Sequence, residues 1–384
     1  MHKGKEQSPL RKHPWIFSGA IKSKDASLKD GDLVEVFSSD QKYLGTGYYA
    51  GGSIAVRILS FKQTEINEAF WTEKIASAFQ YRKQLNILND QTNVCRLFFG
   101  EGDGVPALVI DYYNGHLVLQ AHNIGVYYQR DKIAAALKSV FGNTLKTIYD
   151  KSAETIANKN NVAIQNEFLF GDTANTVVLE NGVKFFVDWS TGQKTGFFID
   201  QRDNRKLLGY YSAGKTVLNT FSYTGGFSIY AALAGAKEVH SVDVSAPAIA
   251  IADKNAELNQ LSNHSSYVQD TFDFLKDKKD VYDLIVLDPP AFAKSRDAKH
   301  QAVRGYTRLN ALAIKLIKPG GIIFTFSCSG VVDKFLFYNT VTAAAIEAGR
   351  NIRILHYLHQ PADHPVTPFF PEGEYLKGMV LWVE

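Results

Sequence analysis

Two side chains stand out for the chemistry they could do. Asp288 closes the strand-like run 282–287 and opens the turn Asp288-Pro289-Pro290-Ala291-Phe292. Cys328 closes a second strand-like run, 322–327, and is followed by Ser329-Gly330. Two prolines stiffen the first turn and remove two backbone donors, so Pro289 helps to hold Asp288 at the end of its strand. If both runs are strands of an open α/β sheet, the acid and the thiol share the carboxyl edge, where such sheets bind ligands. A thiol there is a nucleophile candidate; the alternative is a cysteine that only fills core. Thiolate addition to C6 of cytosine turns the inert C4–C5 bond into an enamine able to attack an electrophilic methyl group. The thiol pKa, ordinarily about 8.5, would have to fall, so nearby cations would help. Asp288, kept protonated by burial, could hold cytosine N3, while Phe292 could stack on the extruded base. The base that takes the C5 proton is not identifiable from the residues, and water could serve.

A methyl donor is suggested upstream. Val217-Leu218-Asn219-Thr220 reads as a buried strand, Phe221-Ser222-Tyr223-Thr224-Gly225 as a turn, and 227–233 as a helix closed by Gly235. Gly225 and Gly226 allow a ligand to approach the backbone. The next strand, 238–243, ends in Asp243, about 20 residues beyond the turn, where a carboxylate can accept from ribose hydroxyls. The turn is not GxGxxG, which argues against a pyrophosphate cradle and for S-adenosylmethionine (SAM), although an ordinary dinucleotide domain remains the alternative. Ser245 suits the N-cap of a helix running toward Leu261. A third strand, 267–270, ends in Asp270, which could accept from an adenine amino group. Lys294, Arg296, Lys299, His300, Arg304 and Arg308 follow the Asp-Pro-Pro turn; Arg304 and Arg308, four apart on a helix, form a cationic face suited to RNA phosphates or merely to solvent. The segment 193–205, dense in aromatics and charges, reads as a lid over the ligand or as a structural hairpin.

The whole chain has 384 residues, 45% hydrophobic and 21% charged, with a formal net charge of +3. That length suggests two or three domains, and the small charge means that any basic patch is local. Two cysteines far apart argue against a disulfide framework or a Cys-rich metal site, and the expected compartment is a reducing cytoplasm. No apolar run is long enough for a membrane span or signal peptide.

Residues 1–73 read as a small β-rich unit, with alternating or glycine-punctuated runs at 32–37, 43–49 and 55–59. Ahead of these, Arg11 and Lys12 precede His13-Pro14-Trp15-Ile16-Phe17, where a base could stack on an aromatic while the cations meet phosphate; Trp15 and Phe17 could equally plug the barrel. Residues 74–172 read as an α+β module with a hairpin at Asn114-Gly115. Its acidic turn (Glu101, Asp103, Asp111) reads as solvated rather than as a cation site, and Cys95 as core. Residues 173–384 carry the alternating strands and helices.

The 1–73 unit resembles a PUA domain, through His-Pro-Trp-Ile-Phe and Gly-Thr-Gly-Tyr-Tyr (45–49). The whole chain resembles the bacterial 23S rRNA (cytosine-5) methyltransferase I family. The resemblance rests on 13–21, on Lys194-Thr195-Gly196-Phe197-Phe198-Ile199-Asp200-Gln201-Arg202-Asp203-Asn204-Arg205, on 219–227, on Asp288 to Phe292, on 325–330, and on 362–366 with 371–378. It implies an α/β class: a Rossmann-like class I SAM-dependent methyltransferase domain preceded by a β-barrel PUA domain and a small α+β domain, often as a homodimer. It implies Cys328 as the nucleophile and Phe198, Asp200, Arg202, Phe221, Thr224, Gly225, Asp243, Asp270 and Asp288 as SAM contacts. Expected partners are 23S rRNA and no membrane. A related branch methylates guanine N7 on the same Asp-Pro-Pro scaffold, so transfer to a guanine or adenine nitrogen is the second reading. An RNA-binding assembly factor with a vestigial SAM site is the third.

Overall fold

A computed structural model describes residues 1–156, 162–292 and 296–384; Lys294 lies outside the described residues. The chain forms two compact units. The first comprises 1–178, 188–196 and 362–373; the second comprises 179–187, 197–361 and 374–384.

The first unit holds two sheets. Strands β1 (Trp15–Phe17), β2 (Leu33–Phe37), β3 (Tyr43–Tyr49) and β4 (Ile54–Ser60) pair antiparallel in the order β1-β4-β3-β2. Gly47 lies where an added Cβ would sit 2.1 Å from the Arg57 carbonyl oxygen, so only glycine permits that strand crossing. Ile16, Val36, Leu44, Val56 and Ile58 form the local core. Strands β5 (Val94–Phe99), β6 (Leu108–Tyr113), β7 (His116–Ala121), β8 (Thr147–Asp150) and β9 (Glu167–Phe170) form the second sheet in chain order. The β7–β8 pair is parallel and is bridged by the helix Arg130–Phe141, as a parallel connection requires.

The expected boundary at residue 73 falls inside the helix Glu68–Gln84, which Asn67 caps. Trp71 and Ile75 of that helix share one buried cluster with Tyr48 and Leu59 of the small sheet and Phe98 and Leu117 of the larger one. A common core therefore joins the two β modules. The segment 362–373, grouped by sequence with the C-terminal domain, also belongs to this unit. Arg82 reaches the Asp363 carbonyl at 2.7 Å, and Asp363 accepts the Arg96 N–H at 3.0 Å. A hairpin of β10 (Asn175–Glu180) and β11 (Val183–Asp188) turns on Asn181 and Gly182, both at positive φ, the geometry that Asn-Gly favours.

The second unit is built on β12 (Thr216–Thr220), β13 (Glu238–Asp243), β14 (His264–Val268), β15 (Leu284–Leu287), β16 (Gly321–Ser327), β17 (Ile352–His359) and β18 (Lys377–Val383). Their order is β14-β13-β12-β15-β16-β18-β17. The first five are parallel, and β18 inserts antiparallel between β16 and β17. Val217, Leu218 and all of β15 are fully buried, as strands covered on both faces by helices must be. The chain order reverses between β12 and β15, which creates the crevice where open α/β sheets bind ligands.

Candidate active site

The turn after β12 is set by three left-handed residues in five: Phe221 (φ 53°), Tyr223 (φ 46°) and Gly225 (φ 79°). Non-glycine residues in this region are strained and cluster at functional sites. Gly225 packs on the helix Ala246–Leu258, where its added Cβ would sit 3.0 Å from that of Ala252. Thr224 is buried, and its carbonyl accepts from Asn255 at 2.9 Å.

Asp243 ends β13. Its Oδ2 accepts the Tyr223 N–H and its Oδ1 the Ser245 N–H, each at 2.9 Å. The carboxylate is thus aimed by backbone, and each oxygen retains a lone pair for a further donor such as a ribose hydroxyl. Ser245 caps the following helix, as its position suggests. Beside this carboxylate in the chain turn, the Ser222 hydroxyl is buried with no protein partner. A buried polar group of this kind calls for a ligand or water. The oriented acid, the orphaned hydroxyl and the glycine-edged turn without a phosphate loop together fit a nucleoside cofactor.

Asp270 follows β14, and the Gln269 N–H before it bonds the Asp243 carbonyl at 3.0 Å. The Asp270 side chain is exposed and caps the helix Thr271–Leu275 through the Phe272 and Asp273 N–H groups.

The segment 197–205 forms a 3-10 turn, Ile199–Gln201, leading into the helix Arg202–Ser212. Phe198 meets Tyr223 edge to face at 5.1 Å. Asp200 is buried and accepts the Tyr375 hydroxyl at 2.5 Å. Arg202 is buried, with its Nε 3.8 Å from Asp203. Arg205 anchors the turn: it donates to the Phe198 carbonyl at 2.9 Å and forms a two-point ion pair with Glu180 at 2.8 and 2.7 Å. A buried charge so placed must be paired.

The parallel register pairs Leu287 with Thr325, so Asp288 and Cys328 leave the same edge of neighbouring strands. Asp288 is half-buried and accepts from the Gln201 amide at 3.0 Å. Cys328 is half-buried and lies outside any disulfide. Between the two strand ends stands Tyr306 of the helix Lys299–Leu316. Its hydroxyl accepts from Ser327 at 3.0 Å, and Phe292 packs on its ring at 4.7 Å. Burial pushes its pKa up to about 12, with negative charge on Cys328 and Asp288 acting in the same direction. Pro289 is buried beside Asp288. Lys377, at the start of β18 and paired in register with Ser327, is buried. Its ammonium donates to the Ser329 carbonyl at 2.5 Å and the Val332 carbonyl at 2.7 Å. Burial pushes the Lys377 pKa down, and charge on Cys328 pulls it back up. A buried cation beside a thiol favours the thiolate.

The structure thus groups Phe198, Phe221, Thr224, Gly225 and Asp243 around the β12 turn, and Asp288, Phe292 and Cys328 around Tyr306. Arg308 lies over the Phe272 ring at 4.6 Å and Arg304 is exposed on the same helix. Arg11 and Lys12 belong to the first unit, where Lys12 lies 5.4 Å from the Phe369 ring centroid. Sequence reasoning did not single out Gln201, Ser222, Tyr306 or Lys377. The one local hint was a lysine opening an otherwise apolar strand.

Comparisons with known proteins agree with this geometry. Residues 96–374 match the model of the S-adenosylmethionine-dependent methyltransferase family, and residues 1–61 match that of a PUA-like domain. Proteins named ribosomal RNA large subunit methyltransferase I are 42% identical in Aeromonas salmonicida (99% of this chain, 97% of that one) and 41% identical in Pseudoalteromonas atlantica (100% and 98%). Among solved structures, SMU.776, described as a methyltransferase and complexed with SAH, superposes with a TM-score of 0.85 at 27% identity over 98% of this chain and 97% of that one. The chain therefore belongs to the S-adenosylmethionine-dependent methyltransferases, in the family whose members carry the name ribosomal RNA large subunit methyltransferase I.

Proposed function

We propose that this enzyme methylates ribosomal RNA of the large subunit, at C5 of a cytosine in 23S rRNA, through a covalent adduct with Cys328. The family name of its relatives supports the RNA class. The observation that carries the cytosine reading is the half-buried thiol on the sheet edge it shares with Asp288, with the Lys377 ammonium held beneath its loop.

In this mechanism Asp243 and the 221–225 turn would hold the cofactor, together with Phe198, Asp200, Arg202 and Asp270. S-adenosylmethionine supplies an electrophilic methyl group. The Cys328 thiolate adds to C6, and the displaced electron pair raises the nucleophilicity of C5. Asp288, oriented by Gln201, meets the N3–N4 edge of the base, and Phe292 supports its face. After methylation, loss of the C5 proton to water or a base returns the electron pair, expels the thiolate and restores the aromatic ring. Arg304 and Arg308 meet flanking phosphates. The site of action is the cytoplasm, and the enzyme works as a homodimer; sedimentation tests the latter.

The decisive experiment pairs wild type with Cys328→Ala on unmodified 23S rRNA and maps the product at nucleotide resolution. Loss of 5-methylcytosine is expected, together with a protein–RNA adduct when wild type meets RNA carrying 5-fluorocytidine, whose C5 cannot release a proton. Full activity of the alanine variant, or a methyl group on nitrogen, overturns the reading.

A further inference from the structure

The first unit contains a cavity of about 280 Å³ that the methyl-transfer chemistry does not use. Its walls include Trp15, Arg57, Phe99, His122 and Phe370. Trp15 and Phe370 meet edge to face at 4.6 Å, and the Trp15 indole is fixed by donation to Glu101 at 2.8 Å. A groove of about 740 Å³, bearing Lys12, Lys62 and Lys74, shares the wall formed by Glu101, Gly102, Pro365 and Thr367.

We propose that this cavity binds an unstacked nucleobase of single-stranded RNA, with the flanking phosphates lying along the lysine groove, so that the first unit holds substrate RNA at a nucleotide other than the one methylated. The inference rests on the RNA reading above and deepens it.

Three observations favour a base over an apolar ligand or peptide. First, flat aromatic faces stand beside a guanidinium, the combination that stacks any base and hydrogen-bonds its edge. Arg57 loses solvent in the wall, and Glu101 is its nearby countercharge. His122 also lines the cavity and is exposed; loss of solvent around its ring, with Arg96, Lys194 and Arg57 nearby, pushes its pKa down, and at neutral pH the ring offers one donor and one acceptor. Second, acids in the groove are committed elsewhere. Asp103 is ion-paired with Arg82 and Glu101 holds Trp15, which leaves Glu73 beside Lys74. Third, the backbone is strained on both sides of the shared wall: Ala107 (φ 68°) lines the cavity and Lys12 (φ 61°) the groove. Strain of this kind collects at binding sites. The wall itself exists because residue 102 is glycine; an added Cβ would sit 2.0 Å from the Pro365 carbonyl oxygen.

The test uses the full-length enzyme and a mixed-sequence RNA dodecamer. Ultraviolet crosslinking of wild type, mapped by mass spectrometry, is expected to mark peptides bearing Trp15, Phe99 or Phe370. Arg57→Gln and Phe370→Leu are expected to weaken dodecamer binding roughly five- to hundredfold, the range of one lost base stack, while Ile346→Ser, at an exposed position of the second unit, binds as wild type does. Crosslinks confined to other peptides, or wild-type affinity in both cavity variants, overturn the proposal. Methylation of rRNA is scored in parallel: wild-type transfer with an inert cavity sinks this inference alone, whereas no transfer to any rRNA sinks the function on which it rests.

Discussion

The Lys377 ammonium donates at 2.5 Å to the carbonyl of Ser329, the residue immediately after Cys328. One buried cation thereby fixes the loop carrying the thiol and biases the thiol toward its charged form. Lys377→Met should raise the Cys328 pKa, and each unit of rise lowers the thiolate fraction at neutral pH about tenfold. Iodoacetamide labelling of Cys328, followed by peptide mass spectrometry from pH 6 to 10, reads this directly. An unshifted labelling profile in a folded variant would show that the lysine serves the loop only.

Asp243 makes two backbone hydrogen bonds and leaves one acceptor position on each oxygen for the cofactor. Asp243→Asn keeps the shape, but the amide nitrogen cannot accept. One loop N–H loses its partner and the ribose loses an acceptor. SAM affinity should fall about tenfold or more, equivalent to roughly 1.4 kcal/mol, by calorimetry. Cys328→Ala should bind SAM as wild type does. Equal affinities in all three proteins would remove Asp243 from the cofactor site.

The Arg205–Glu180 pair is buried on both sides. Glu180→Gln leaves the guanidinium without its countercharge, and breaking such a pair costs about 3–5 kcal/mol. For a unit of this size that corresponds to a fall in Tm of roughly 6–20 °C. Because Arg205 also holds the Phe198 carbonyl, SAM should protect the variant less than wild type. Calorimetric melting with and without SAM measures both effects.

Asp150 should carry a pH signature in the first unit. Burial raises its carboxyl to about 6, although Ser152 and Arg130 oppose the shift. The folded state then binds more protons than the unfolded state between about pH 4 and pH 6, so this group's contribution to stability declines as pH rises through that window. The loss is on the order of 3 kcal/mol. His116 and His122, both pushed down to about 4, act in the opposite sense, so the useful quantity is the difference between proteins. Urea titrations of wild type and Asp150→Asn should show the variant gaining relative stability from pH 4 to pH 7. A constant difference would contradict the raised carboxyl.

The sequence by itself determined the features that depend on neighbours in the chain. The β12 turn with Gly225, the acid ending β13, the Ser245 cap, the rigid Asp288-Pro289-Pro290 turn and a cysteine closing a strand are all written within windows of a dozen residues, because turn chemistry, capping and apolar periodicity are local. The small sheet and the hairpin at Asn114-Gly115 were legible for the same reason.

Only the tertiary structure decided which distant residues meet. Gln201 bonds Asp288 across 87 positions, Tyr375 bonds Asp200 across 175, and Lys377 reaches Ser329 across 48. These partners depend on strand order, on the insertion of β18 between β16 and β17, and on the register of Ser327 with Lys377. The extent of the first unit was decided the same way, because Trp71 packs with both sheets and 362–373 returns to Arg82 and Arg96. Long-range pairings of this kind are selected by packing and by the need to satisfy buried charge, and a local pattern of residues holds no record of either.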